Sequence, residues 1–396
     1  MATSLSKATS FVRKALIVFG IITILSILIQ IFASPGLIIP TPGFPGIVPT
    51  GFKSPDNALG KIPHARLTSF TLAPNTKAKY ALDGKLSGFP GIVNAYSIEK
   101  PRELLGNSDR SRRVATILGF NTNETRTEGN VLIWEVPSKT RIFTYDKVLD
   151  KWNLLLADKD FAIQLNKGLN PEENFYNNNS ITGVITRTLQ IPNQYFANAQ
   201  VNNYLINLLP SGSYQGVLEL EQAKFIKSSV YKRIASAEFL FPQNPEQAGV
   251  YSEIRKPEYL NGVANLVLQG KLDNPKEDII SFSYHDYQYD KKGIYQALSV
   301  EEAYNNIQLN KGILYWLHLK DENVYQTYQE LNVIEFRINV AKIRIVYIEP
   351  DEWLEDQEWT HYLQPFYFFE GTAALADGRE ADFAFLTEAI QQSMYK

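Results

Sequence analysis

Cysteine is absent from all 396 residues. Without thiolates there are no disulfides, no cysteine-bound zinc and no iron–sulfur cluster, so the fold must rest on its packed cores. Histidine is nearly as scarce. His64, His285, His318 and His361 are the only four, and no two stand at the spacing of a helix-borne metal pair. Neither a P-loop nor a dinucleotide-binding G-x-G-x-x-G occurs. Charge of one sign is lacking too: 39 basic residues face 42 acidic ones for a net of -3, which removes the concentrated basic surface that nucleic acid requires. No cofactor or nucleic acid is therefore expected, and no catalytic, cofactor-binding or metal-binding residue is assigned.

What the chain has in quantity is aromatics: 22 Tyr, 22 Phe and 5 Trp, many alternating with polar residues as in half-buried strands. One stretch breaks that pattern. Ala15 to Ala33 carries no charge, and as a helix it would be about 28 Å long, against a hydrocarbon core of roughly 30 Å. Lys7, Arg13 and Lys14 precede it and the next basic residue is Lys53, which by the positive-inside rule puts the N-terminus in the cytoplasm. The run exceeds the apolar region of a signal peptide, typically about 7–15 residues, so it is read as uncleaved. The expectation is a cytoplasmic tail at 1–14, a transmembrane anchor at 15–33 in the lipid bilayer, and an extracytoplasmic body: a single-pass protein of the cell membrane.

Residues 34–61 read as a spacer whose Pro and Gly fix an extended path. The hexapeptide GFPGIV stands both at Gly43–Val48 and at Gly88–Val93, a shared turn preference and not a repeat architecture. Beyond it the length calls for two or three domains. A first is expected at 62–165 and a second region at 166–396, dividing near 290–299 if it holds two modules. Helices are expected from Ser108 to Gly119, over Asn193–Leu209, and from Ser299, which makes a capping box with Glu302. Strands are expected at Leu67–Leu72, Ala78–Leu82, Val93–Ile98, Val131–Val136, Thr140–Tyr145, Trp152–Leu156, Tyr214–Glu221, Val230–Leu240, Val250–Ile254, Val263–Gln269, Ile279–Tyr289, Leu363–Phe369 and Asp382–Leu386. The run Val333–Glu349 changes apolar phase near Ala341, the mark of a bulge or bend. Helix followed by meander, without β-α-β alternation, predicts an α+β fold: two or three helix-plus-antiparallel-sheet modules after the transmembrane helix.

Three constellations deserve weighing for chemistry. Ser229-Val-Tyr-Lys232 has the S-x-x-K spelling of serine acyl-enzymes, but it runs into a strand instead of opening a helix. His285-Asp286 sits in the Tyr-rich run SFSYHDYQYD with no nucleophile indicated. Glu349–Trp359 is the densest acidic stretch, without the spacing or glycine of a calcium loop, and reads as a solvated connection pinned by Trp353 and Trp359. Paired carboxylates for glycoside hydrolysis lie far apart in sequence and cannot be chosen from 42 acids.

The helix opening Leu298-Ser-Val-Glu-Glu-Ala303, the strand Val340–Tyr347 and the Pro-aromatic strand Tyr362–Gly371 together resemble membrane-anchored regulatory proteins of the YycH/YycI type and the PepSY or cystatin-like folds related to them. The resemblance covers about a quarter of the chain. It implies a non-enzymatic regulator or scaffold that binds a protein partner in or beside the membrane; proteins of that type act on a sensor kinase. Two alternatives stand beside it: an envelope hydrolase acting on peptide or glycan, and a cell-wall or small-ligand binding module using Tyr and Trp on an exposed sheet face.

Overall fold

The structure, a computed structural model, describes residues 51–396 apart from 75, 87, 138–139, 157–168, 170–175, 197, 210–213, 218, 241–248, 321, 323 and 326–329. The chain divides into the units Met1–Val48 and Pro49–Lys396, and all that follows concerns the second.

Two large sheets carry this unit. The ten-stranded sheet holds β1 (Lys79–Leu82), β2 (Ile92–Ile98), β10 (Arg233–Glu238), β11 (Gly249–Arg255), β14 (Tyr289–Gln296), β15 (Ile313–Leu319), β16 (Val333–Ile338), β17 (Arg344–Ile348), β18 (Tyr362–Leu375) and β19 (Glu380–Glu388). The nine-stranded sheet holds β3 (Arg126–Glu128), β4 (Val131–Glu135), β5 (Arg141–Asp146), β6 (Lys151–Leu156), β7 (Gln200–Leu208), β8 (Tyr214–Gly216), β9 (Phe225–Tyr231), β12 (Ala264–Leu268) and β13 (Ile279–Tyr284). Among the described residues the α-helices are α1 (Asn107–Ile117), α2 (Asn178–Leu189), the single turn α3 (Pro275–Asp278) and α4 (Val300–Gln308).

This architecture corrects the α+β expectation. The body is mostly β, its strands gathered into two large sheets and not into helix-plus-meander modules. Nor is pairing wholly antiparallel, because β1 runs parallel to β16 and β11 parallel to β17. The single-pass membrane placement is corrected as well. The longest described helix, α2, has 12 residues, a rise of about 18 Å against the roughly 30 Å of a hydrocarbon core. No described helix is long and apolar enough to cross a membrane. The tail at 1–14, the span at 15–33 and most of the spacer lie outside the described residues.

β18 is the spine of the ten-stranded sheet. Its first half pairs with β17, its second half with β16, and β19 runs along most of its length. The apolar run Leu363–Phe369 is buried throughout because both faces are covered. Tyr367 and Phe369 pack with Val300, Ala303 and Ile307 of α4, while Phe366 and Phe368 pack on the opposite side with Tyr315, Leu67 and Tyr259. The phase change expected near Ala341 is a complete break: a 3-10 turn at Val340–Lys342 splits the run into β16 and β17. Ile334 is half-exposed because a bulge between Val333 and Glu335 shifts the register. At Gly371 the backbone of β18 passes so close to β16 that an added Cβ would lie 2.0 Å from the Arg337 carbonyl oxygen. Gly371→Ala is accordingly expected to destabilise the unit by about 1–3 kcal/mol, read from the midpoint of urea unfolding.

The nine-stranded sheet is covered on one face by α1 and α2, whose Val114, Ala115, Ile181, Val184 and Ile185 meet Trp134, Phe143, Trp152 and Phe282. The helix expected over Asn193–Leu209 is instead the strand β7, preceded by a 3-10 turn at Asn193–Phe196. Asn202, Asn203, Tyr204 and Ile206 are poor helix formers, and pairing along the whole of β9 overrides the helical spacing of the apolar residues. The real helix, α2, lies upstream and starts at Asn178, with the Asn177 side chain accepting from the Ser180 amide. At α4 the capping box of Ser299 and Glu302 is formed in both directions.

One topological feature positions the site. Between residues 225 and 296 the chain passes repeatedly from one sheet to the other: β9 to β10 at Lys232, β11 to β12 through 256–263, and β13 to β14 through 285–288.

Candidate functional site

The chemistry-bearing residues singled out from sequence gather at these crossings, but as structural pairs. Ser229 lies mid-strand in β9 and donates its hydroxyl to the Leu260 carbonyl, while Lys232 ion-pairs with Asp286 at 2.7 Å. The S-x-x-K pair is therefore not a nucleophile and its base. His285 and Asp286 do not act on one another either. The His285 ring packs edge-on against Tyr287, its Nε2 without a hydrogen-bond partner. Burial, with Lys256 and Lys151 adding to it, pushes this imidazole down to about 2, so it is neutral. Burial pushes the Asp286 carboxyl up, against the pull of Lys232 and with Glu349 adding to the rise. Glu349 opens the acidic run but is fully buried, pairing with Lys256 and accepting from the Tyr289 hydroxyl at 2.7 Å. Asp351, Glu352, Glu355, Asp356 and Glu358 are exposed, as expected of a solvated connection.

The remaining histidines are likewise occupied. His64 stacks on Tyr395 and meets Glu388, His361 stacks on Trp353 and reaches the Leu354 carbonyl, and His318 stacks on Trp316. No group of three or more potential metal ligands exists among the described residues.

An aromatic-walled cavity of 400 Å³ lies beside the second crossing, through 256–263, with Phe70, Tyr259, Trp316 and Tyr325 in its wall. Three of the rings, Tyr259, Trp316 and His318, are parallel, but they are stacked on each other. Trp316 has Tyr259 on one face at 4.2 Å and 4°, and His318 parallel to it at 5.5 Å and 6°. With Tyr259 stacked against it, the indole has a face taken by another ring, which is not the open platform that a sugar ring needs.

A second cavity, of 340 Å³, has a different character. Phe89, Pro90, Ile92, Ala297, Ile345 and Tyr367 give it an apolar wall, and Arg233, Ser236, Ser252, Glu253 and Arg344 give it a polar end. The polar groups come from β10, β11 and β17, whose starts and ends are fixed by the ion pairs at the crossings: Arg233 follows Lys232, and Glu253 stands three residues before Lys256. Arg233 and Glu253 face each other in the β10–β11 register. They nonetheless form no ion pair, because Glu253 binds Arg255 at 2.8 Å and lies 3.7 Å from Arg344. Arg344 is further held by Glu370. Arg233 is left with one bond, to the Tyr251 carbonyl at 2.7 Å, and no carboxylate partner among the described residues. Beside it the Arg344 Nε is buried without a hydrogen-bond acceptor. Three guanidinium groups thus share two carboxylates, Glu253 and Glu370, and the surplus positive charge stands at the cavity.

No family model, no curated protein and no solved structure matches this chain. The resemblance to the YycH/YycI type accordingly gains nothing from relatives, and the site rests on its own geometry. Sequence reasoning missed Arg233, since an arginine on a strand carries no motif. One signal was present: the second GFPGIV supplies Phe89, Pro90, Ile92 and Val93 to the wall, marking a turn that points apolar residues at one place.

Proposed function

We propose that this protein is a non-catalytic binding protein for a small amphipathic anion, whose acidic head meets Arg233 and whose apolar body fills the 340 Å³ cavity. The observation that carries this reading is Arg233 itself, a guanidinium at the polar end of an apolar-walled cavity with its cross-strand carboxylate already taken. The volume falls in the usual range of small-molecule pockets, about 300–1,000 Å³, and a few placed polar groups on an apolar lining are what such pockets use for orientation. An envelope hydrolase is disfavoured, since Ser229, Lys232, His285 and Asp286 are each committed to packing or to a structural bond. The reading narrows the expected non-enzymatic regulator to one that senses a ligand; a protein partner would then respond to whether the cavity is filled.

Calorimetric titration with octanoate tests this, with octanamide as the neutral control. Octanoate should bind and octanamide should bind markedly less. Arg233→Gln should weaken octanoate by about 1.5–3 kcal/mol, roughly 10–150-fold in Kd, the worth of hydrogen bonds to a charged group. Because Arg233 is exposed at its strand, the substitution should leave unfolding within about 0.5 kcal/mol of wild type. Equal affinity for acid and amide, or an unchanged Kd in the variant, would remove the basis of the proposal.

A further inference from the structure

Lys227 is a buried amine that the ligand reading does not use. It sits in the middle of β9, between Tyr204 of β7 and Val267 of β12, on the face of the nine-stranded sheet opposite the helices. Only 8% of it is exposed. The contrast with Lys256, the other buried lysine, is informative: Lys256 has Glu349, whereas Lys227 has no carboxylate within ion-pair distance and no hydrogen bond among the described residues. Its Nζ is enclosed by rings instead, 4.6 Å from the centroid of Tyr325 and 5.3 Å from that of Tyr214. Tyr325 also forms part of the wall of the 400 Å³ aromatic cavity, so the space for an apolar molecule borders a ring whose centroid is 4.6 Å from the amine.

An ammonium left without a counter-charge in apolar surroundings is disfavoured by desolvation, and it sheds its proton readily. Burial pushes this amine down to about 8, against the weaker opposite pull of Glu258. The other titratable groups around it are the phenols of Tyr204, Tyr214 and Tyr325, all pushed upward by burial and so uncharged at neutral pH. A desolvated lysine in an aromatic enclosure, whose neutral form is within easy reach at neutral pH, is a nucleophile in that form.

We infer that Lys227 is a covalent attachment site, whose amine condenses with the carbonyl group of a small apolar aldehyde to form an imine. The Nζ lone pair bonds to the carbonyl carbon, and the C=O π pair moves to oxygen. The carbinolamine then expels that oxygen as water, carrying off the two amine protons, and a C=N bond remains. Nothing is oxidised or reduced, and the linkage reverses on hydrolysis.

The test is reductive trapping on the full chain, with benzaldehyde as probe and cyanoborohydride as the reductant that fixes the imine, followed by peptide mass spectrometry. At pH 7 an amine titrating near 8 is neutral roughly 300 times more often than one at the ordinary 10.5. Even after allowing for its weaker basicity, Lys227 should be modified at least about tenfold faster than the exposed Lys61 and Lys85. Its rate should reach half-maximum near pH 8. In Lys227→Arg the fast adduct should vanish without reappearing at another lysine. The wild-type map alone decides the matter if that variant fails to fold. Modification of Lys227 no faster than Lys61 and Lys85 would overturn the inference and leave the amine as a protonated partner of the Tyr214 and Tyr325 rings.

Discussion

Replacing Glu349 by alanine is expected to destabilise the Pro49–Lys396 unit by about 3–5 kcal/mol, the typical penalty for removing one partner of a buried ion pair. The carboxylate is fully buried and accepts from three donors: the Lys256 ammonium, the Tyr289 hydroxyl and the Tyr287 amide. Truncation leaves Lys256, itself 5% exposed, as an uncompensated charge, and strands the two neutral donors. The double variant Glu349→Leu with Lys256→Met should recover much of the loss. It removes both charges together, and what remains is the desolvation of the Tyr287 and Tyr289 groups, about 1–3 kcal/mol each. Urea unfolding of the wild type, both single variants and the double variant closes the thermodynamic cycle. If Glu349→Ala unfolds within about 1 kcal/mol of wild type, the pair does not hold the crossings together.

The result bears on the ligand cavity as well as on stability. Lys232–Asp286 and Lys256–Glu349 tie down the points where the chain changes sheets, and the cavity's polar end begins one residue beyond Lys232 and ends three before Lys256. A loosened crossing shifts Arg233 relative to Arg344, so Glu349→Ala should also weaken octanoate, although Glu349 is not part of the cavity wall.

How much of this was legible in the sequence depends on the range of the interaction. Local signals read true. The Ser299–Glu302 capping box, the stop at Gly119 with its φ of +85°, and the meander β4 to β6 all depend on neighbours within a few residues. Long-range pairing was illegible, and it decided the rest. Val230–Leu240 reads as one strand because its apolar pattern is continuous, yet it divides at Lys232 and its halves join different sheets. Asn193–Leu209 has helical spacing, but β9 was waiting to pair with it. The candidate site suffered most, because it is built from register. Arg233 acquires meaning only when Glu253 is seen opposite it and already bound elsewhere, and no spacing along the chain encodes that.

Acidification should separate two neighbouring residues, His285 and Asp286, by the sign of their effect. Burial lowers the folded pKa of His285 from 6.5 to about 2, so below pH 6.5 the unfolded chain takes up a proton that the fold refuses. Stability contributed by this group is complete above pH 6.5 and is lost as the pH falls, with a slope approaching about 1.4 kcal/mol per pH unit. Asp286 acts in the opposite direction. Its folded pKa is raised above the ordinary 3.8 by burial, so on acidification the fold binds a proton before the unfolded chain does, and stability rises until the unfolded carboxylate also titrates. In the wild type the two slopes oppose each other through the mildly acidic range. Asp286→Asn removes the gain and exposes the histidine, so relative to wild type its stability should fall by up to about 1.4 kcal/mol per pH unit as Asp286 would have titrated. His285→Gln removes the loss, and relative to wild type its stability should rise over the same interval. Taking differences cancels the surface carboxylates common to all three proteins. Urea midpoints measured from pH 7 to pH 4 decide it: if both variants run parallel to wild type, neither group changes its protonation with folding, and the crossing at 285–288 is not the acid-sensitive point of the fold.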